Sequence, residues 1–218
     1  MNTNNAAKRI LCYGDSNTWG WIPSRMGKER YPIDERWPGV LQQLLGTRYE
    51  VIEEGLGGRT TMFDDPRPEF PERNGLKALP AILESHLPLD LVIIMLGTTD
   101  TKEMMRKESK DSAEGIAQMI ALIKEFRNVN TAPAPQILII VPPIIDETTL
   151  FASKLFSGGT AKAKELRDTY KNVCQEHGAA YLDPTAEIIV DKTEGIHIDS
   201  SMHRKLAELV YAKIKEMQ

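Results

Sequence analysis

Ile10-Leu11-Cys12-Tyr13-Gly14-Asp15-Ser16-Asn17-Thr18-Trp19-Gly20 is the stretch on which the reading of this chain turns. A short apolar run stops at Gly14, and a serine follows two positions later. That is the pattern of a β-strand ending in a tight turn that exposes one hydroxyl. In open α/β sheets, ligands bind just outside the carboxyl ends of the strands. Ser16 therefore stands where a nucleophile would act, although Ser and Asp are also preferred helix N-caps and the local pattern fits that role equally well. The surroundings match neither the G-x-S-x-G turn of ordinary α/β hydrolases nor a phosphate loop ending in Gly-Lys-Ser/Thr.

Working outward, five apolar runs rich in β-branched residues predict strands at 9–13, 49–53, 91–96, 136–141 and 179–182. None alternates cleanly with polar residues, as expected of parallel strands covered on both faces. Helical stripes lie between them. Trp37, Val40, Leu41, Leu44 and Leu45 form the first, with Pro38 near its start and Gly46 past its end. Leu79, Leu83 and Leu87 mark the second, with Pro80 expected in its first turn or at a kink. Ile116, Met119, Ile120, Ile123 and Phe126 form a third, Leu166, Tyr170, Val173 and Cys174 a fourth, and Leu206, Leu209, Val210, Ile214 and Met217 the last. Each stripe is read as core-facing. The alternation predicts a parallel, doubly wound α/β sheet with right-handed crossovers. No repeat or linker divides the chain, so residues 1–218 are read as one domain with residues 1–7 a flexible N-terminus. Three irregular stretches, 22–34, 60–74 and 142–159, fall near strand ends, where loops shape pockets or oligomer contacts.

The 218 residues are 41% hydrophobic and carry a formal net charge of −4, which speaks against a general affinity for nucleic acid or anionic membrane. The densest basic cluster, Lys102, Arg106, Lys107 and Lys110, is diluted by Glu103, Glu108 and Asp111 and reads as a solvated face. Cys12 and Cys174 fall in apolar patterns and are expected to be buried free thiols of a reducing compartment. The polar start lacks the apolar segment of a secretory signal, and no run approaches a membrane span of ~20 residues. A cytoplasmic protein is the expectation.

A serine nucleophile needs a base. Thr193-Glu194-Gly195-Ile196-His197-Ile198-Asp199 supplies one, with a carboxylate three residues before the histidine. One turn can place Glu194 against one ring nitrogen while the other faces the serine, fixing the tautomer and stabilising the imidazolium. His203 has Ser200 in the corresponding place and is expected to face solvent on the last helix. A metal site from His197, Asp199 and His203 lacks the spacing of known zinc motifs. Gly57 and Gly58 follow the second strand and free the backbone to aim an amide; a simple turn is the alternative. Gly97-Thr98-Thr99-Asp100 follows the third strand, as hydroxyl donors or as a helix cap.

Taken in order, Gly14-Asp15-Ser16-Asn17-Thr18-Trp19-Gly20-Trp21, Glu53 through Thr61, Leu87 through Thr98, and Gly195-Ile196-His197 resemble the SGNH (GDSL-like) serine hydrolases, most of all the bacterial arylesterase and acyltransferase branch. The resemblance runs from Lys8 to the last helix. It implies a three-layer α/β/α sandwich on a five-stranded parallel sheet, of flavodoxin-like type. It implies Ser16 as nucleophile, His197 as base, and an oxyanion hole from the amides of Ser16 and Gly58. It implies small esters as substrates, water or an alcohol as acyl acceptor, no cofactor or metal, and a homo-oligomer. The pattern departs at two positions: Glu194 replaces the family's aspartate, and Thr99 its oxyanion asparagine. Asp15 and Trp19 are assigned to the substrate pocket. The alternatives are a carbohydrate O-deacetylase using the same machinery, and a weakly active ester-binding homologue because of Thr99.

Overall fold

A computed structural model describes residues 3–25, 27–125 and 133–218. Phe126, assigned above to the third helical stripe, lies outside the described residues, as do Met1, Asn2 and Met26 of the expected N-terminus and first irregular stretch. The chain forms a five-stranded, all-parallel sheet: β1 (Lys8–Gly14), β2 (Tyr49–Gly55), β3 (Leu91–Met95), β4 (Gln136–Ile140) and β5 (Ala180–Leu182). Its order is β2-β1-β3-β4-β5. The winding direction reverses between β1 and β3, and their carboxyl ends open a crevice there.

Around the sheet lie α1 (Ser16–Trp19), α2 (Trp37–Leu45), α3 (Gly75–His86), α4 (Ser109–Glu125), α5 (Leu150–Leu155), α6 (Gly159–His177) and α7 (Ser200–Glu216). Successive strand residues point to opposite faces. Leu11, Tyr13, Val92 and Ile94 pack with α3, α4 and α6 on one side. Ile10, Cys12, Ile93 and Met95 pack with α2 and α7 on the other. This makes a three-layer α/β/α sandwich. Both thiols are free and buried, within these two layers. Each fully buried aliphatic side chain in them contributes about 1.5–3 kcal/mol of hydrophobic stabilisation.

The strands fall where the apolar runs place them, and the helices differ in detail. Pro80 is inside α3 rather than in its first turn, because Asn74 caps the helix earlier by accepting from the Lys77 amide. Leu87 lies just past its end. The stretch 142–159, read as irregular, contains α5, whose N-cap Thr149 accepts from the Ala152 amide. Among the described residues no helix is long and apolar enough to cross a membrane.

Candidate active site

The turn after β1 is built by close approach. A Cβ on Gly14 would lie 2.0 Å from Thr18 Oγ1, and one on Gly55 would lie 2.3 Å from the Trp19 amide. Two glycines at paired positions of β1 and β2 thus let α1 sit directly on the strand ends. Asp15 is the N-cap of α1: its Oδ1 accepts the Asn17 amide at 2.9 Å. Ser16 is the first helical residue, so its N–H has no acceptor within the helix. The turn is braced from beneath by buried Arg59, which donates to the Gly14 carbonyl at 2.9 Å and lies 4.1 Å over the Tyr13 ring.

His197 comes to this turn from the segment before α7. Its Nε2 lies 2.7 Å from Ser16 Oγ. Its Nδ1 faces Glu194 Oε1, which also accepts the His197 amide at 2.8 Å. An ionised carboxylate only accepts, so Nδ1 carries the proton and Nε2 is left to accept from the serine hydroxyl. Glu194 Oε2 takes the Trp21 indole N–H at 3.3 Å, and the Trp21 ring stacks on His197 at 4.7 Å and 16°. The longer arm of glutamate is accommodated by folding back over its own turn. Gly195 makes that turn at φ +78°, where a Cβ would strike the Asp146 carbonyl at 2.2 Å. The Thr149 hydroxyl, at the start of α5, donates to the Glu194 carbonyl at 2.7 Å. Asn17 Oδ1 accepts the Ile198 amide at 3.1 Å and ties the histidine segment to the serine turn.

The opposite side of the serine is formed by the ends of β2 and β3. Gly58 adopts φ +80°. The Gly57 carbonyl, in the same peptide unit as the Gly58 N–H, accepts from Arg73 Nε at 2.8 Å. Among the described residues the Gly58 N–H donates to no turn or cap acceptor. Thr99 opens a short 3-10 turn after β3 and is 3% exposed, at the cavity wall. Beside it, Asp100 accepts the Thr61 amide at 3.0 Å and the Thr61 hydroxyl at 2.5 Å, locking the β2 and β3 loops together. Burial pushes the Asp100 carboxyl up to about 6, against the pull of its Thr61 and Ser112 hydrogen bonds.

Ser16 and His197 open onto a cavity of about 410 Å³. Its apolar wall includes Trp19, Leu56, Phe70, Phe151, Leu155 and Ile196. Three cations, Arg67, Arg73 and Lys102, also line it.

Ser16, His197, Glu194, Gly58, Thr99 and Trp19 thus converge at one edge of the sheet. Three expectations need correction. Asp15 is 1% exposed and does not line the cavity, because its carboxylate turns inward to cap α1. Ser16 is accordingly not the cap. His203 does not face solvent: it is fully buried, with Nδ1 accepting the Trp37 amide at 3.2 Å at the start of α2. Asp199 caps α7, so these two residues serve helix starts. Lys102 is no part of a solvated face, being 9% exposed and in the cavity wall. Trp21, Arg73, Phe151 and Phe156 received no role from sequence. Arg73 carries no local motif and Trp21 closes the Gly14–Trp21 block without a role of its own, whereas Thr149 before Leu150-Phe151 was a legible cap signal for α5.

The model of the GDSL-like lipase/acylhydrolase family matches residues 12–205. The native aryl esterase of M. smegmatis is 40% identical, with 97% of this chain and 100% of that chain superposed at a TM-score of 0.90. A carbohydrate acetylesterase from Sinorhizobium meliloti is 36% identical over 97% of this chain and 100% of its own, also at 0.90. An acetylxylan esterase from Xylanibacter ruminicola is 26% identical over 96% of this chain, which spans only 43% of that relative's length.

Proposed function

Because the chain belongs to the GDSL-like lipase/acylhydrolase family, we propose that it is a serine esterase that cleaves small aryl or short-chain acyl esters through an acyl-enzyme. The observation that carries this reading is the hydrogen-bonded line from Ser16 Oγ through His197 to Glu194. His197 Nε2 takes the Ser16 proton as the oxygen bonds to the ester carbonyl carbon. The carbonyl π pair moves onto oxygen, held by the Ser16 and Gly58 amides, with the Thr99 hydroxyl as third donor. As the tetrahedral intermediate collapses, its C–O bond to the alcohol breaks and His197 protonates the departing oxygen. Water, or a second alcohol, then attacks the acyl-enzyme by the same steps in reverse. Glu194 holds the imidazole in the required tautomer and offsets the charge it gains.

A carbohydrate O-deacetylase is the second reading, favoured by the Sinorhizobium and Xylanibacter relatives. Acetate release from acetylated sugars, measured against aryl acetates, separates the two. An ester-binding homologue with little catalysis would leave Ser16 unlabelled by a fluorophosphonate. A homo-oligomer, the expectation from the family resemblance, is read directly by sedimentation or light scattering. Two buried free thiols go with a cytoplasmic setting. The decisive variant is Ser16→Ala: kcat on phenyl acetate falls by roughly 10⁴-fold or more, with an unchanged circular dichroism spectrum. Retained turnover would overturn the assignment.

A further inference from the structure

The cavity wall runs against the charge of the molecule. The chain carries a formal net charge of −4, yet Arg67, Arg73 and Lys102 all line the pocket beside Ser16, and among the described residues no carboxylate does. Two of the three cations are partnered. Arg67 is held in a two-pronged pair by Asp65, with Nε at 2.8 Å and Nη2 at 2.6 Å. Arg73 donates to the Gly57 carbonyl at 2.8 Å and the Pro71 carbonyl at 2.6 Å, so its geometry is fixed while its charge is not neutralised.

Lys102 is different. The residue is 9% exposed, and its ammonium stands 6.0 Å from the centroid of the Phe156 ring, another part of the cavity wall. Among the described residues the ammonium forms neither a hydrogen bond nor an ion pair: Asp65, the carboxylate beside it, is engaged by Arg67. Burial and the Arg67 charge pull the ammonium down to about 8, against the opposing charges of Asp65, Asp15 and Asp100, none of which is within ion-pair distance of it. Buried charges are ordinarily paired, since an unpaired one loses its hydration without replacement. A cation set in an apolar wall and left open toward a reaction cavity is a partner for an anion that arrives with the ligand, and the low-dielectric wall strengthens that attraction.

We propose that the ester this pocket is built for carries a carboxylate, bound by Lys102 with Arg73 adding to the field. The inference rests on the ester-hydrolase reading and adds the charge of the substrate to it. A carboxylate at the remote end of the acyl chain and one on the leaving alcohol present the same chemistry, so the test has an arm for each.

The measurement is kcat/KM on matched pairs: 4-acetoxybenzoate against its methyl ester for the alcohol side, and phenyl hydrogen adipate against methyl phenyl adipate for the acyl side. The unmodified protein is expected to prefer the charged member of at least one pair about tenfold or more, and the preferred pair identifies the side. In Lys102→Met that ratio falls toward one, through KM more than kcat, while Lys102→Arg keeps it. Competitive inhibition of the unmodified protein by benzoate, tested against benzamide, gives a reading that needs no variant: benzoate is expected to bind about tenfold more tightly. Equal ratios for both pairs, a preference unmoved by Lys102→Met, or equal inhibition by benzoate and benzamide overturns the proposal. Absence of turnover on all four esters would instead strike at the esterase reading.

Discussion

The two sides of Ser16 are built to different standards. On the histidine side the acceptors that hold the ring are committed. Glu194 accepts from the His197 ring, the His197 amide and the Trp21 indole, and Asn17 fastens the following residue to the serine turn. On the oxyanion side the scaffold is firm but the donors are free. Arg73 and Asp100 fix the loops, whereas the Gly58 amide is uncommitted among the described residues and Thr99 brings a short hydroxyl. On the proposed mechanism, the difference teaches that the groups for proton transfer are already hydrogen-bonded to one another, while the donors for charge stabilisation wait for a substrate oxygen.

Breaking the first side should have the larger effect. Glu194→Gln keeps the size of the side chain and removes the charge that offsets the imidazolium. Its kcat on phenyl acetate is expected to fall by roughly 10²–10⁴-fold, as triads do when the carboxylate becomes an amide. A loss of less than tenfold would mean that Glu194 only positions the ring. The second side should respond in the opposite direction. One oxyanion donor is worth about 2.7–4 kcal/mol, or 10²–10³ in kcat. If the Thr99 hydroxyl reaches the oxyanion poorly, Thr99→Asn raises kcat, by up to about 10²-fold. An unchanged or lower kcat would show that the hole is already complete with threonine.

The smallest effect belongs to a histidine outside both sides. His203 is packed beneath the site, edge-on to Tyr31 at 5.2 Å, with Nδ1 taken by the Trp37 amide and Nε2 buried without a partner among the described residues. Burial, reinforced by the charges of His197 and Arg36 and opposed by Asp199, lowers its pKa from 6.5 to about 3. The folded protein then declines a proton that the unfolded chain accepts. Stability is fully present above pH 6.5 and is lost as pH falls toward 3. One such proton amounts to about 2 kcal/mol between pH 7 and pH 5. In urea unfolding, His203→Asn, which keeps an acceptor for Trp37, should lack that part of the decline. Parallel stability curves for the two proteins would remove His203 as its source.

The strands were legible because each is a short run with apolar residues bounded by turn residues, and the near-complete burial of β1, β3 and β4 fits the centre of a parallel sheet covered on both faces. The residues now meeting at the sheet edge were legible because each sits directly after a strand or before a capped helix. Asp15, His203 and Lys102 were misread for one common reason: burial of a polar side chain depends on what packs over it. A capping aspartate and a pocket aspartate look alike in sequence. So do a surface lysine and one folded under Phe156. Helix α5, six residues long, is too short for its periodicity to stand out, although it delivers Phe151 and Leu155 to the cavity.

The sequence by itself determined the alternation of five strands with the longer helices, the serine in its glycine-flanked turn, and a histidine with a carboxylate one turn before it. These are local properties, written in spacing and residue type. Only the tertiary structure decided that His197 reaches Ser16, that Trp21 and Arg73 brace the two sides of the site, and that the Lys102 ammonium stands unpaired among the described residues in the cavity wall. Those facts depend on contacts between residues far apart in the chain, and on which polar groups lose water when the layers close.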